Sequence, residues 1–124
     1  METLGGITMA MESSILKSVK QMLGGISSDN TAFDPQLILF INSVMADLQT
    51  LGAIPDFYEI YDDTAKWEEL DTKEVALALI KPFVFLKVKM LFDPPVGGAK
   101  EALENLLAEY EWRIRIACES STFE

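Results

Sequence analysis

The sequence contains no histidine, one cysteine and few basic residues. Without histidine, the chain has no imidazole to act as an acid or base, to activate a serine or cysteine, or to bind a metal. The single cysteine, Cys118, excludes a disulfide within the chain and is typical of a reducing compartment. We therefore expect a protein that is not an enzyme and that has no catalytic residue, cofactor or metal site.

Positive charge is scarce: 10 Lys and Arg residues stand against 20 Asp and Glu residues, for a net charge of -10. This balance argues against tight, sequence-independent binding of nucleic acid, because phosphate binding needs clustered cations. The acidic residues concentrate between Asp56 and Glu74, without the spacing of a calcium loop, and we interpret them as a solvated surface. The lysines of the segment 75–95 are interpreted as extending from a buried helix.

Long apolar runs are also absent. The longest unbroken run, Val75–Ile80, is far shorter than the roughly 20 residues of a membrane-spanning helix. The first residues lack the basic region of a secretory signal, so we expect an intracellular protein. The length of 124 residues predicts one domain, which we place at residues 13–118 between flexible ends at 1–12 and 119–124.

Apolar residues recur with helical spacing in four segments, at about Ser13–Leu23, Asp34–Leu51, Asp71–Phe92 and Gly98–Cys118. Asp34 is the predicted N-cap of the second helix, and Gly52 follows its end as a left-handed cap. Asp71 and Glu74 have the spacing of a capping box at the start of the third.

The segment between the second and third helices has a different residue pattern. Alternating residues predict a small β-hairpin in which Tyr58–Tyr61 pairs with Thr64–Trp67. The predicted fold is therefore mainly α, with four helices and one β-hairpin between helices two and three.

Two helices carry more apolar surface than a small monomer readily covers. The third is apolar nearly all round, and the fourth has Trp112 and Ile116 opposite its main apolar stripe. Tryptophan is enriched at protein interfaces, so we expect contacts between subunits. The residues predicted to make them are Phe83, Phe85, Val88, Trp112 and Ile116, with Phe57 and Trp67 of the hairpin.

Several short motifs occur in a fixed order. They contain Asn42 and Ser43, Gly52, Trp67, the run Phe92, Asp93, Pro94 and Pro95, and the pair Trp112 and Arg113. Over about Ser14–Ile116, this series resembles the head–tail connector proteins of tailed bacteriophages, also called adaptor, neck or DNA-packaging proteins. The Leu-Phe-Asp-Pro-Pro and Glu-Trp-Arg pieces are its most specific parts.

The resemblance implies a structural virion protein that forms a homo-oligomeric ring, dodecameric on the virion. Such a ring docks on the portal protein after genome packaging, extends the DNA channel and recruits the next head-completion, or stopper, protein. Double-stranded DNA would pass through it without specific binding, and no membrane would be involved. The protein would assemble in the host bacterial cytoplasm and reside in the virion neck, with Glu119 and Phe123 as candidate portal contacts.

One alternative belongs to a different class. The acidic composition also fits an inhibitor or DNA mimic that binds a basic partner, with carboxylates that copy the spacing of phosphates. That function would require a continuous exposed acidic ridge. The concentration of acid in one short region and the aromatic motifs favour the connector.

Overall fold

The computed structural model describes residues 13–120, in which four helices form the fold: α1 (Ile15–Leu23), α2 (Asp34–Thr50), α3 (Glu74–Phe92) and α4 (Gly98–Ser120). A 3-10 turn, Trp67–Glu69, precedes α3. The predicted mainly α class is confirmed for this part of the chain. Of the ends predicted to be flexible, residues 1–12 and 121–124 lie outside the described residues, and Glu119 and Ser120 of the predicted tail 119–124 belong to α4.

Helix α3 lies at the centre of the fold. It packs against α1, α2 and α4, and α1 also packs against α2. Its buried side chains point in several directions around the helix: Ala76, Ile80, Phe83, Val84, Phe85 and Val88. The chain's own helices therefore cover most of α3. The expectation that other subunits must cover it is not needed to explain its composition.

The helix starts follow the sequence prediction for α1 and α4 and differ in capping for α2 and α3. The Ser14 hydroxyl caps α1 by accepting the Lys17 N–H at 3.2 Å. The predicted Asp34 cap and Asp71 capping box are wrong, because α2 is preceded by Phe33 and α3 by Lys73, neither with a side-chain cap. The Asp34 carboxylate instead pairs with the Lys20 ammonium.

The C-terminal end of α2 follows the prediction. Gly52 has a φ of 82°, a conformation that favours glycine. Its N–H donates to the Gln49 carbonyl at 3.0 Å, and the Ala53 N–H donates to the Leu48 carbonyl at 2.9 Å. These two bonds form a Schellman cap, which ends α2 and directs the chain into the following loop.

The predicted β-hairpin is wrong for residues 58–67, where the structure has no paired strands. Lys66 instead forms an isolated antiparallel bridge with Ser14. Around this bridge, the Ile15 N–H donates to the Ala65 carbonyl at 3.0 Å, and the Trp67 N–H donates to the Ser13 carbonyl at 3.1 Å. The backbone that would have closed a hairpin is thus attached to the start of α1.

Asn42 of α2 supplies the second reason that no hairpin forms. Its Oδ1 accepts the Ile60 N–H at 2.7 Å, and its Nδ2 donates to the Ile60 carbonyl at 3.0 Å. The amide side chain therefore satisfies both backbone groups that a partner strand would have bonded. Ile60 is buried in the core, so Asn42 fixes the middle of the loop to α2.

Lys20 is buried, although the sequence pattern places it on the polar side of α1. Its ammonium pairs with Asp34 and donates to the Asn30 carbonyl at 2.9 Å. A lysine stem is long enough to cross apolar surroundings while its charged end reaches polar partners. This contact connects α1 to the start of α2.

We predict that Asn42→Ala lowers the free energy of unfolding by about 1–3 kcal/mol, because two polar groups of a buried residue lose their partners. Urea unfolding measures the loss, and hydrogen exchange should show a faster amide at Ile60. Ser43→Ala is the matched control, since Ser43 is the exposed neighbour on the same helix. An Asn42→Ala variant as stable as this control, with Ile60 still protected, would contradict the assigned role.

Candidate interaction surfaces

Residues 13–120 contain no group of three or more acidic or cysteine side chains placed to hold a metal ion. No helix in that range is long and apolar enough to cross a membrane. Cys118 is half-buried, and burial raises the pKa of its thiol, which keeps it in the less reactive protonated form.

The three lysines of α3 contact other groups of the chain. Lys87 Nζ lies 3.6 Å from an Asp47 carboxylate oxygen and 3.7 Å from one of Glu111, so it joins α2, α3 and α4. Lys89 Nζ lies 3.7 Å from Asp93. Lys81 Nζ lies 6.0 Å from the centre of the Trp67 ring. These contacts support the interpretation that the lysines do not form a nucleic-acid surface.

Trp67, one of the motif residues, organises the core between α1 and α3. Its indole N–H donates to the Ser18 hydroxyl at 2.9 Å, and that hydroxyl donates to the Ile15 carbonyl at 2.9 Å. The Trp67 ring meets Phe85 edge-on, with 5.8 Å between ring centres. Trp67 is fully buried, so its role here is structural.

The Phe92–Pro95 motif ends α3. Phe92 packs edge-on against Phe33, with 5.5 Å between ring centres, and the Asp93 N–H donates to the Lys89 carbonyl at 2.8 Å. Pro94 is exposed and Pro95 is half-buried. This motif therefore fixes where α3 stops, close to the start of α2.

Seven residues were predicted to contact a neighbouring subunit, and the structure divides them into two groups. Four are buried within the chain: Trp67, Phe83, Phe85 and Val88. They are apolar because they pack between the helices of one molecule, and they form no exposed surface. Three are exposed: Phe57, Trp112 and Ile116.

Trp112 and Ile116 lie on the outer face of α4. Trp112 is 61% exposed and Ile116 is 43% exposed, whereas Ile114 between them is fully buried. Successive helical residues are about 100° apart, so the residues two before and two after Ile114 point away from the core. We call Trp112, Arg113, Arg115 and Ile116 the Trp112 face.

The two arginines give the Trp112 face its charge. Arg113 pairs with Glu109 one turn earlier on α4. Arg115 is exposed and has no ion-pair partner among the residues that the structure describes. The remaining basic residue of α4 is Lys100, at the other end of the helix. Because Glu109 balances Arg113, the positive charge beside the exposed apolar area that has no ion-pair partner in the described range is that of Arg115.

A second exposed apolar group lies in residues 53–65, which we call the acidic loop. Phe57 is 53% exposed and Tyr61 is 78% exposed. The charged residues of this loop are all acidic: Asp56, Glu59, Asp62 and Asp63. Tyr61 was not predicted as a contact residue, because alternation placed it in a strand. Its position directly before two aspartates was the available signal.

The acidic loop and the Trp112 face are separate exposed surfaces. The loop is attached to α2 through Asn42, to α1 through the Ser14 bridge, and to Lys17, whose Nζ lies 3.8 Å from an Asp63 carboxylate oxygen. Helix α4 instead has its main packing partner in α3. Cys118, in the last turn of α4, lines one pocket with Ala53 and Pro55 at the start of the loop, whereas Trp112 and Ile116 point away from the core. The molecule thus exposes two distinct aromatic surfaces.

The candidate portal contacts are placed only in part. Glu119 is exposed in the last turn of α4, and Phe123 lies outside the described residues. Leu39, Val75 and Val96 are also exposed and belong to neither aromatic surface as defined above. They are separated from one another in the sequence and gave no pattern from which a surface could be predicted.

Exposed aromatic surfaces such as these two are typical of proteins that bind other proteins. Comparison with protein families assigns residues 15–121 to the family described as phage connector protein, and the chain belongs to that family. This finding confirms the resemblance and supports a broad role in connecting the phage head to the tail. Neither the curated proteins nor the solved structures gave a match.

The acidic loop also predicts a pH dependence of stability. The Tyr58 hydroxyl donates to the Glu69 carboxylate at 2.7 Å, and burial followed by this hydrogen bond raises the pKa of Tyr58 well above its usual value of 10.0. The stabilising contribution is complete below pH 10 and is lost as the pH rises further, because the unfolded tyrosine ionises first.

We therefore expect wild-type protein to lose stability more steeply than Tyr58→Phe between pH 9 and about pH 11. Urea unfolding at a series of pH values measures both slopes. Other groups titrate equally in the two proteins, so the difference isolates Tyr58. Parallel slopes would show that the Tyr58–Glu69 bond does not contribute in this way.

Proposed function

We propose that this phage connector acts as a homo-oligomeric ring that docks on the portal protein and extends the DNA channel toward the tail. The ring recruits the next head-completion protein after genome packaging, and its place is the virion neck. The observation that carries the proposal is the exposure of Trp112 and Ile116 on the α4 face opposite the core. Exposed tryptophan with a neighbouring aliphatic residue is typical of a protein contact surface.

The placement of the aromatic surfaces supports a ring in particular. Contacts that use two different surfaces of each subunit are heterologous, and they close into rings when the rotation between subunits permits it. The acidic loop and the Trp112 face are two different exposed surfaces, as such contacts require. Twelve copies are what the family resemblance implies for the virion.

The net charge of the chain supports a DNA channel that does not bind the DNA passing through it. A net charge of -10 repels phosphates, and the α3 lysines lie against groups of their own chain. Genomic DNA would therefore pass without specific binding. The proposed role is structural and involves no catalytic step.

The alternative of an acidic DNA mimic has no particular observation in its favour. Several carboxylates that would form its ridge accept bonds within the chain: Asp62 from Thr64, Glu69 from Tyr58 and Glu59 from Tyr61. Their side chains follow an irregular loop and a 3-10 turn rather than one extended face. The family assignment favours the connector.

Light scattering during size-exclusion chromatography of the full chain tests the proposal, over a wide range of protein concentration and with purified portal. We expect a ring-sized mass for the wild type, either alone or with portal. Trp112→Ser/Ile116→Ser should shift the mass to monomer with unchanged circular dichroism. Val96→Ser is the matched control, because Val96 is exposed but lies outside the Trp112 face.

Tryptophan fluorescence gives a second readout. Trp67 is already buried within the chain, so a blue shift with rising concentration reports the burial of Trp112. A strict monomer at all concentrations, with no binding to portal, would contradict the proposal.

A further inference from the structure

The Trp112 face and the acidic loop both expose aromatic side chains, and their charged residues without an ion-pair partner in residues 13–120 have opposite signs. One presents Trp112 and Ile116 between two arginines, and the other presents Phe57 and Tyr61 between carboxylates. Aromatic side chains and arginine are enriched at interface centres, and opposite charges at the border set the orientation of the partners. Each surface therefore has the composition of a partner for the other.

The two surfaces do not cover each other within one molecule. The acidic loop is attached to α2 by Asn42 and to α1 by the Lys17–Asp63 pair, and the Trp112 face points away from the core. The apolar residues of both surfaces therefore stay exposed. A contact between two Trp112 faces would leave the exposed aromatic residues of both acidic loops uncovered. A contact between unlike surfaces of two copies covers both surfaces and brings Arg115 to an acidic partner.

We propose that the Trp112 face of one copy docks on the acidic loop of the next copy, with Arg115 directed at the loop carboxylates. This inference rests on the proposed ring and specifies which surfaces join its subunits. Arg115 is suited to this role because it has no ion-pair partner within residues 13–120. Asp56 and Glu59 are suited because both are exposed and neither pairs with a basic residue of that range.

Charge reversal with mixing tests the proposal. One variant, Arg113→Glu/Arg115→Glu, makes the Trp112 face acidic, and the other, Asp56→Arg/Glu59→Arg, makes the loop basic. Neither change touches the Asp62–Thr64 turn or the Asn42 contact. Each variant alone should self-associate at least about tenfold more weakly than the wild type, measured by sedimentation velocity.

An equimolar mixture of the two variants should recover assembly to within a few-fold of the wild type. Each junction in the mixture would then join surfaces of opposite charge, in alternating order. Lys100→Glu is the control, since it changes one charge on α4 outside the Trp112 face and should leave assembly unchanged.

Other outcomes separate this inference from the proposed ring. If both variants assemble like the wild type, the ring stands and the assigned surfaces are wrong. If both fail and their mixture also fails, the two surfaces do not face each other. If the α4 variant assembles but no longer binds purified portal, the Trp112 face serves another protein and the inference is overturned. A wild-type chain that never assembles overturns both proposals.

Discussion

The covering of α3 is the constraint on which the rest of the structure depends. This helix is apolar around most of its surface, and α1, α2 and α4 all pack against it. Covering α3 occupies one face of α4 and leaves Trp112 and Ile116 on the other. Trp112 and Ile116 are therefore exposed because the described part of the chain has no further helix that packs on the outer face of α4.

In the loop between α2 and α3, side chains make backbone hydrogen bonds that a partner strand would otherwise make. Asn42 binds both backbone groups of Ile60, and Trp67 anchors the far end of the loop through Ser18. The segment is thereby held in an extended course without a partner strand. Phe57 and Tyr61 belong to this attached segment, and both side chains are exposed.

The sequence predicted the four helices, the glycine cap at Gly52 and the outward direction of Trp112, since all three follow from local spacing. It failed where a distant side chain decides the local structure. No hairpin forms between Tyr58 and Trp67, because Asn42 binds the backbone of Ile60 and Ser14 forms a bridge with Lys66. Asp34 does not cap α2, because its carboxylate pairs with Lys20. Phe83, Phe85 and Val88 were assigned to a subunit interface because periodicity cannot distinguish burial within a chain from burial between chains.

The central claim is that the outer face of α4 meets the acidic loop of the next copy. Disulfide crosslinking tests it most directly, with Phe57→Cys and Ile116→Cys introduced together in a Cys118→Ser background. The account predicts a ladder of covalent multimers under mild oxidation, because each copy links to the next. Failure to crosslink under conditions in which the protein assembles, or a product that stops at the dimer, would contradict it.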